Sequence, residues 1–288
     1  MNKMKAIAKL KPEFGAQLIE TQIPEPREGE VLIKVLATSI CGTDLHIYEW
    51  NDWAQSRIKI PQILGHEFAG EVVKTGSSVK NLKPGDYVSA ETHIPCGQCI
   101  QCLTGQQHLC KNLKILGVDR DGSFAEYIVV PENVVWKNDR SIPPEIASVQ
   151  EPLGNAVYCT LVEPVSGKVV LILGAGPTGL FATAVAKVSG AAYIIVSDIN
   201  DTRLGIAKRL GADRVVNPHK ENLELTVNEV SNGTGADVVL EMAGVEQTIK
   251  DGLKLVRRGG RFCAFGLPNK SIEIDWNNDI IFKGVTLY

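Results

Sequence analysis

The sequence has no hydrophobic run long enough to cross a membrane, no block of like charges and no internal repeat. A membrane-spanning helix needs roughly 20 apolar residues in succession. The apolar part of the basic start meets Pro12 and is too short for a signal peptide. A net charge of −3 without charged tracts does not suggest a nucleic-acid partner. We therefore predict a cytoplasmic protein that binds neither a membrane nor a nucleic acid.

Cysteines are few and unevenly placed. There are seven, an odd number, and four of them lie between positions 96 and 110. In a reducing compartment such clustering indicates metal binding rather than a disulfide framework. Four of the five histidines lie between positions 46 and 108. Any metal chemistry is therefore predicted in the first half of the chain.

The pattern of strand-like and helix-like segments changes near the middle of the chain. Its length of 288 residues favours two domains. Up to about residue 150, short β-rich runs such as VLIKVLA and AEYIVV alternate with Pro, Gly and Asn turns, which predicts an antiparallel, barrel-like domain. From Lys168 onward, strand-like and helix-like segments alternate, as in a doubly wound parallel sheet. We predict an α/β protein with domains at residues 1–153 and 154–288.

The motif GAGPTG closes the strand-like run VVLIL and opens a helical segment. In that context Gly174 permits the tight turn, Gly176 lets a pyrophosphate approach the backbone, and Gly179 allows the helix to pack closely on the strand. The helix begins with Pro177 and Thr178, where free N–H groups and the positive end of the helix dipole favour phosphate. A plain tight turn would explain the glycines but not their surroundings.

Asp198 ends the next strand-like run, nineteen residues after Gly179. A carboxylate there accepts hydrogen bonds from the adenine ribose and repels a 2′-phosphate, which predicts NAD rather than NADP. Arg203 leaves an alternative open, because a guanidinium could bind that phosphate or cover the adenine. Gly266 and Leu267, just past a later strand, are predicted to line the nicotinamide pocket.

The strongest metal signal is a run of four cysteines at close spacing, Cys96, Cys99, Cys102 and Cys110. Four thiolates satisfy tetrahedral zinc and leave no open position, so the site is predicted to be structural. An iron–sulfur cluster uses the same ligands and remains the alternative.

A second possible metal site is dispersed along the chain. Its candidates are Cys41 in SICGTDLH, His66 and Glu67 in LGHEFAG, and Glu151 in QEPLGNAV. One thiolate, one imidazole and one or two carboxylates can hold zinc with a place left for substrate. Spacing alone does not establish this site, and Glu151 could simply be an acid at a helix start.

The CGTDLH and GHE runs, the four-cysteine lobe and the nucleotide motif, in this order, resemble the zinc-containing medium-chain dehydrogenase/reductase family over the whole chain. The resemblance implies a GroES-like barrel with a structural-zinc lobe at about residues 93–113, followed by a Rossmann domain. It also implies NAD, two zinc ions per chain and a homotetramer. It makes Cys41, His66 and Glu67 catalytic-zinc ligands, with Glu151 as a fourth ligand or an exchanging neighbour.

The resemblance also implies an activity. The stretch EWNDWAQSRIK, with EPLGNAV, narrows it to oxidation of L-threonine to 2-amino-3-oxobutanoate in threonine catabolism. A sorbitol- or 2,3-butanediol-type polyol dehydrogenase and a non-catalytic nucleotide-binding relative are the alternatives. Thr43 and His46 match the positions of the family's proton relay, with His46 as terminal base. His93 could reach the amino or carboxylate group of the substrate, or be a hydrogen-bonded loop residue.

The sequence departs from the family at its end. It stops at GVTLY, at the start of what resembles the sixth strand of the nucleotide sheet. Family members continue for several dozen residues, so a C-terminal segment is expected to be missing and the Rossmann domain to be incomplete.

Overall fold

The computed structural model describes residues 3–268 and 270–288. They divide into two compact units, Met1–Glu151 and Pro152–Tyr288. This boundary lies two residues before the predicted one at 153/154. None of the helices in the described residues has the length and apolar character that a membrane span requires.

The first unit is built from short strands in antiparallel sheets. A five-stranded sheet has the order β10-β6-β5-β3-β9, a three-stranded sheet the order β2-β1-β4, and β7 pairs with β8. The elements are β1 (Lys3–Lys9), β2 (Gln17–Gln22), β3 (Glu30–Ser39), α1 (Gly42–Glu49), α2 (Asp52–Arg57), β4 (Gln62–Ile63), β5 (Glu67–Thr75), β6 (Tyr87–Ala90), β7 (His93–Ile94), α3 (Ile100–Leu103), β8 (Lys114–Ile115), β9 (Tyr127–Pro131), β10 (Val135–Lys137) and α4 (Pro144–Ala147).

Alternation along the strands explains why this unit folds as it does. In β1, Met4, Ala6 and Ala8 are buried while the lysines between and before them face solvent. A period of two places one face of a strand in the core and the other in water. The five-stranded sheet buries Ile33 and Phe68 on the same principle.

The second unit is a six-stranded parallel sheet, which confirms the predicted doubly wound architecture. Its strand order is β13-β12-β11-β14-β15-β16, so the order reverses between β11 and β14. The elements are α5 (Gln150–Leu161, which begins in the first unit), β11 (Val169–Leu173), α6 (Pro177–Val188), β12 (Tyr193–Ser197), α7 (Asp201–Arg209), β13 (Arg214–Val216), α8 (Leu223–Val230), β14 (Ala236–Glu241), α9 (Glu246–Leu255), β15 (Val256–Ala264) and β16 (Thr286–Leu287).

Two hydrophobic clusters cover the two faces of this sheet. Successive residues of β11, such as Leu171 and Ile172, are fully buried in different clusters. A parallel sheet with helices on both faces needs such continuous apolar strands. In such sheets, ligands bind outside the carboxyl ends of the strands where the order reverses, which here is where β11 meets Gly174.

Candidate active site

The four cysteines of the lobe meet in space. One sulfur atom from each lies within 4.8 Å of the others. The Cys99 Sγ lies 3.4 Å from Cys102 Sγ and 3.8 Å from Cys110 Sγ. Sulfur atoms bound to one tetrahedral zinc at about 2.3 Å are about 3.8 Å apart. The four side chains therefore fit a closed zinc site.

Backbone N–H groups around the lobe point at its sulfur atoms. Those of Cys96 and Asn112 donate to Cys110 Sγ at 3.2 and 3.3 Å. Hydrogen bonds from the backbone of Gln98 and Cys99 lower the pKa of Cys96 to about 6. Donors of this kind stabilise thiolates, the form in which cysteine binds a metal.

The candidate catalytic ligands come from two elements of the first unit. Cys41 is the N-cap of α1, whereas His66 precedes β5 and Glu67 begins it. One ligand atom from each lies within 4.8 Å of the other two. His66 and Glu67 are only 5% and 4% exposed. Three donors leave one position of a tetrahedral ion for a further ligand, as catalytic zinc requires.

Two residues that the sequence did not single out hold these ligands. Asp44 accepts hydrogen bonds from the backbone N–H groups of Cys41 (2.9 Å) and Gly65 (3.2 Å). Ser39 donates its hydroxyl proton to Glu67 Oε2 at 2.6 Å. Asp44 could have been noticed as the third residue of a capping box after Cys41, but its reach to Gly65 depends on the fold.

The electrostatics of this group suit a cation. Burial lowers the pKa of His66, which favours the neutral imidazole that binds metals. Its Nδ1 is buried without a hydrogen-bond partner among the described residues and lies 3.6 Å from Asp44 Oδ1. Burial also raises the pKa of the Cys41 thiol to about 12 and that of Asp44 to about 6. A buried thiolate and two carboxylates need a positive partner, so these residues fit zinc.

Glu151 lies in a neighbouring polar group rather than within that trio. Its carboxylate is 4.0 Å from His93 Nδ1, and His93 Nδ1 is 2.6 Å from Glu91 Oε1. Ligand atoms of Glu91, His93 and Glu151 all lie within 4.8 Å of one another. Burial alone would lower the pKa of His93, but the hydrogen bond with Glu91 raises it. Glu91 was not identified from the sequence.

The two predicted relay residues both belong to α1. The backbone and side chain of Thr43 form hydrogen bonds with the Cys41 thiol. His46 Nδ1 lies 2.9 Å from Asn51 Nδ2, and its ring centroid is 6.3 Å from that of Trp53. Thr43 therefore contacts a candidate zinc ligand, while His46 lies at the other end of the helix.

The glycine motif has the geometry that a nucleotide needs. Gly174 has φ +100°, and a Cβ on Gly179 would lie 1.9 Å from the carbonyl oxygen of Gly174. Gly176 caps α6, and nothing lies within 4 Å of where its Cβ would be. The first and third glycines are thus required by the fold, whereas the second leaves an open approach to the helix N-terminus. Pro177 and Thr178 form the first turn of α6.

Asp198 touches this loop directly. Its Oδ2 accepts a hydrogen bond from the backbone N–H of Ala175 at 2.7 Å, and its Oδ1 accepts one from Asn200 at 2.8 Å. The carboxylate is therefore held beside the glycine motif at the end of β12. Arg203 lies on the exposed face of α7, close to Asp198 in the chain.

The loops after β14 and β15 meet at a buried acid that the sequence did not reveal. Glu241 is fully buried, and its Oε1 accepts hydrogen bonds from Ala243, Gly244 and the Thr248 hydroxyl. A Cβ on Gly266 would lie 2.0 Å from the nitrogen of Gly244. Of the predicted nicotinamide pair, Gly266 is thus packed into this junction, and its neighbour Leu267 is 64% exposed.

Comparison with known proteins gives one consistent answer. Residues 27–143 match the alcohol dehydrogenase GroES-like domain, and residues 177–288 match the zinc-binding dehydrogenase domain. L-threonine 3-dehydrogenases from Pyrococcus abyssi and Pyrococcus horikoshii are each 58% identical over 99% of this chain and 82% of their own length. A zinc-binding dehydrogenase from Sinorhizobium meliloti bound to NADP has 32% identity and a TM-score of 0.91, covering 100% of this chain and 84% of that one.

These matches confirm the predicted pairing of a GroES-like domain with a Rossmann domain. The two domains occur in the order in which the sequence motifs occur. The chain belongs to the zinc-containing medium-chain dehydrogenase/reductase family.

Proposed function

We propose that this chain oxidises L-threonine at its hydroxyl carbon to 2-amino-3-oxobutanoate, with transfer of hydride to NAD. The observation that carries the proposal is the buried group of Cys41, His66 and Glu67, in a chain 58% identical to L-threonine 3-dehydrogenases. Those three donors suit a metal that activates an alcohol.

The metal and the coenzyme supply the central chemistry. Zinc held by Cys41, His66 and Glu67 would act as a Lewis acid toward the substrate hydroxyl, and NAD would accept the hydride. The chain's own residues prepare the site. Ser39 and Asp44 fix the ligands, and the burial of His66 and Glu67 excludes water from them.

The polar group beside the trio is proposed to select the substrate and to support the metal. It consists of Glu91, His93 and Glu151. L-Threonine carries an ammonium and a carboxylate next to its hydroxyl carbon, so its recognition requires charged partners. An acid, an imidazole and a second acid within 4.8 Å supply charges of both signs. Glu151 is proposed as a fourth zinc ligand or an exchanging neighbour, which its place next to His93 allows.

Thr43 and His46 are proposed to carry the hydroxyl proton away from the site. Thr43 lies against the sulfur of Cys41, and half-buried His46 lies later on the same helix. A hydroxyl can accept and donate a proton together, and an imidazole can pass one to water near neutral pH. The pair is suited to move a proton from a buried site toward solvent.

NAD is proposed over NADP because of Asp198. Its carboxylate is fixed beside the glycine loop by two backbone N–H groups, where it would repel a 2′-phosphate. The other proposed contacts of the coenzyme are Gly174, Gly176, Pro177, Thr178, Gly179, Arg203, Gly266 and Leu267. The proposal further includes two zinc ions per chain, a homotetramer and a reducing, cytoplasmic location, in which cysteine ligands stay unoxidised.

The test measures NADH formation by the purified protein with L-threonine, sorbitol and 2,3-butanediol, together with zinc per chain. Turnover of L-threonine with two zinc ions supports the proposal. Turnover of a polyol alone would show that the protein is a polyol dehydrogenase. One zinc ion per chain without turnover would indicate a non-catalytic nucleotide-binding protein. Repeating the assay with NADP checks Asp198, since faster reaction with NADP contradicts that assignment.

A further inference from the structure

Asn51 lies in the connection between α1 and α2 and makes two side-chain hydrogen bonds. It is the N-cap of α2, and its Oδ1 accepts from the backbone N–H of Ala54 at 3.0 Å. Its Nδ2 lies 2.9 Å from Nδ1 of His46. An amide oxygen can only accept and an amide nitrogen can only donate. The backbone donor at Ala54 therefore decides that the end of the amide that faces His46 is the donor.

This orientation fixes the protonation pattern of the imidazole. Because Nδ1 of His46 faces an N–H donor, it must accept, and the neutral ring then carries its hydrogen on Nε2. The other tautomer would direct two N–H groups at each other across 2.9 Å. We infer that Asn51 is a positioning residue that holds His46 in its Nε2–H tautomer and orients its ring for proton transfer.

The elements behind Asn51 are packed into a hydrophobic cluster. Ala54, which donates to the cap, is fully buried, and Ile47 on α1 is 1% exposed in the same hydrophobic cluster. Trp50 and Trp53 pack against that cluster from either side of Asn51. The amide is thus held by packed helices, so the orientation of His46 depends on the cap of its neighbour.

The consequence for the reaction rests on the proposed function. A neutral Nε2–H imidazole has one lone pair, on Nδ1, so a proton that reaches His46 must bind there. That protonation breaks the hydrogen bond from Asn51 and leaves two donors face to face. Proton transfer through His46 therefore requires the Asn51 amide to turn away from Nδ1, so this hydrogen bond controls both the uptake of a proton by His46 and its release to water.

A spectroscopic test needs no substrate. The protein is labelled with ¹³C and ¹⁵N at its five histidines only, and magic-angle-spinning NMR at pH 8 identifies the protonated nitrogen of each ring. His46→Gln identifies the His46 signals by their loss. We expect Nε2–H in the unaltered protein and Nδ1–H in Asn51→Asp, where a carboxylate accepts. Nδ1–H in the unaltered protein, or no change in Asn51→Asp, would overturn the inference.

A kinetic test uses the same variant, because Asp caps a helix as well as Asn does. We expect kcat with L-threonine to fall about tenfold in Asn51→Asp, within the usual contribution of a general base, with KM changed less than about twofold. The matched control is Asn222→Asp at the N-cap of α8, where Oδ1 accepts from Leu225. Equal kcat in the two variants contradicts the inference. Absence of threonine turnover in the unaltered protein contradicts the proposed function, and the NMR test still decides the tautomer.

Discussion

The two groups that can hold a metal in the first unit are built in opposite ways. The lobe takes its four sulfur atoms from residues 96–110, and two of its cysteines are only half-buried. The trio of Cys41, His66 and Glu67 joins the start of a helix to the start of a strand and is supported by buried Asp44. Four ligands that lie close together in the chain can form a site within one loop. Ligands that are distant in the chain depend on the surrounding fold to bring them together and to hold them in place.

The largest expected effect comes from Cys41→Ser. The hydroxyl is a much weaker zinc ligand than a thiolate, so kcat/KM should fall by at least about a thousandfold, a loss of about 4 kcal/mol in transition-state stabilisation. The melting temperature should change by less than about 3 °C, because the lobe keeps its metal. Initial rates, calorimetry and zinc content check this. Activity within tenfold of the unaltered protein would show that Cys41 is not needed.

Cys110→Ser should reverse that pattern. Cys110 is 6% exposed and its sulfur accepts two backbone hydrogen bonds, so the change removes a thiolate ligand and replaces this acceptor with a smaller, neutral hydroxyl. A structural zinc contributes directly to folding, and we expect the melting temperature to fall by about 10 °C. Since β7 carries His93 and directly precedes the four cysteines in the chain, kcat at 20 °C should also fall about threefold. An unchanged melting temperature would contradict a structural zinc.

Asp44→Asn tests the support of the trio. It removes the charge beside His66 and keeps the size of the side chain, and loss of such outer contacts typically weakens metal binding by about 10- to 100-fold. Competition with a chelator, followed by zinc release and activity, measures the change. Asp52→Asn in the exposed first turn of α2 is the matched control and should bind zinc as the unaltered protein does. Equal zinc affinities in the two variants would show that Asp44 does not support the metal site.

The smallest effect is expected from Asn112→Ala. Its Nδ2 lies 3.7 Å from Cys96 Sγ on an exposed part of the lobe, so water can replace this contact. Zinc retention by the lobe should change less than about twofold in the same competition assay. A tenfold loss would show that the lobe, like the trio, depends on its outer contacts.

Local patterns were enough for the parts of the protein that lie close together in the chain. The four cysteines lie together and the glycine motif joins a strand to a helix, as the sequence pattern predicts, because the partners of these residues lie within one loop or one turn. The parallel sheet was predicted because buried strands alternate with helices along the sequence, and that order of segments leaves few topologies.

The surroundings of the reacting groups could not be predicted in this way. Ser39 reaches Glu67 across paired strands, and Glu151 joins Glu91 and His93 from a distant part of the chain. Such contacts depend on strand register and on the placement of one helix, which no spacing along the chain encodes.

The sequence by itself determined the family, the two domain types and the residue types that can bind zinc and a nucleotide. Only the tertiary structure decided that Glu151 lies beside His93, that Asp44 faces His66, and that the Asn51 amide faces His46. The physical reason is that ligand chemistry belongs to single side chains, whereas their orientation is fixed by hydrogen bonds and packing between segments distant in the chain.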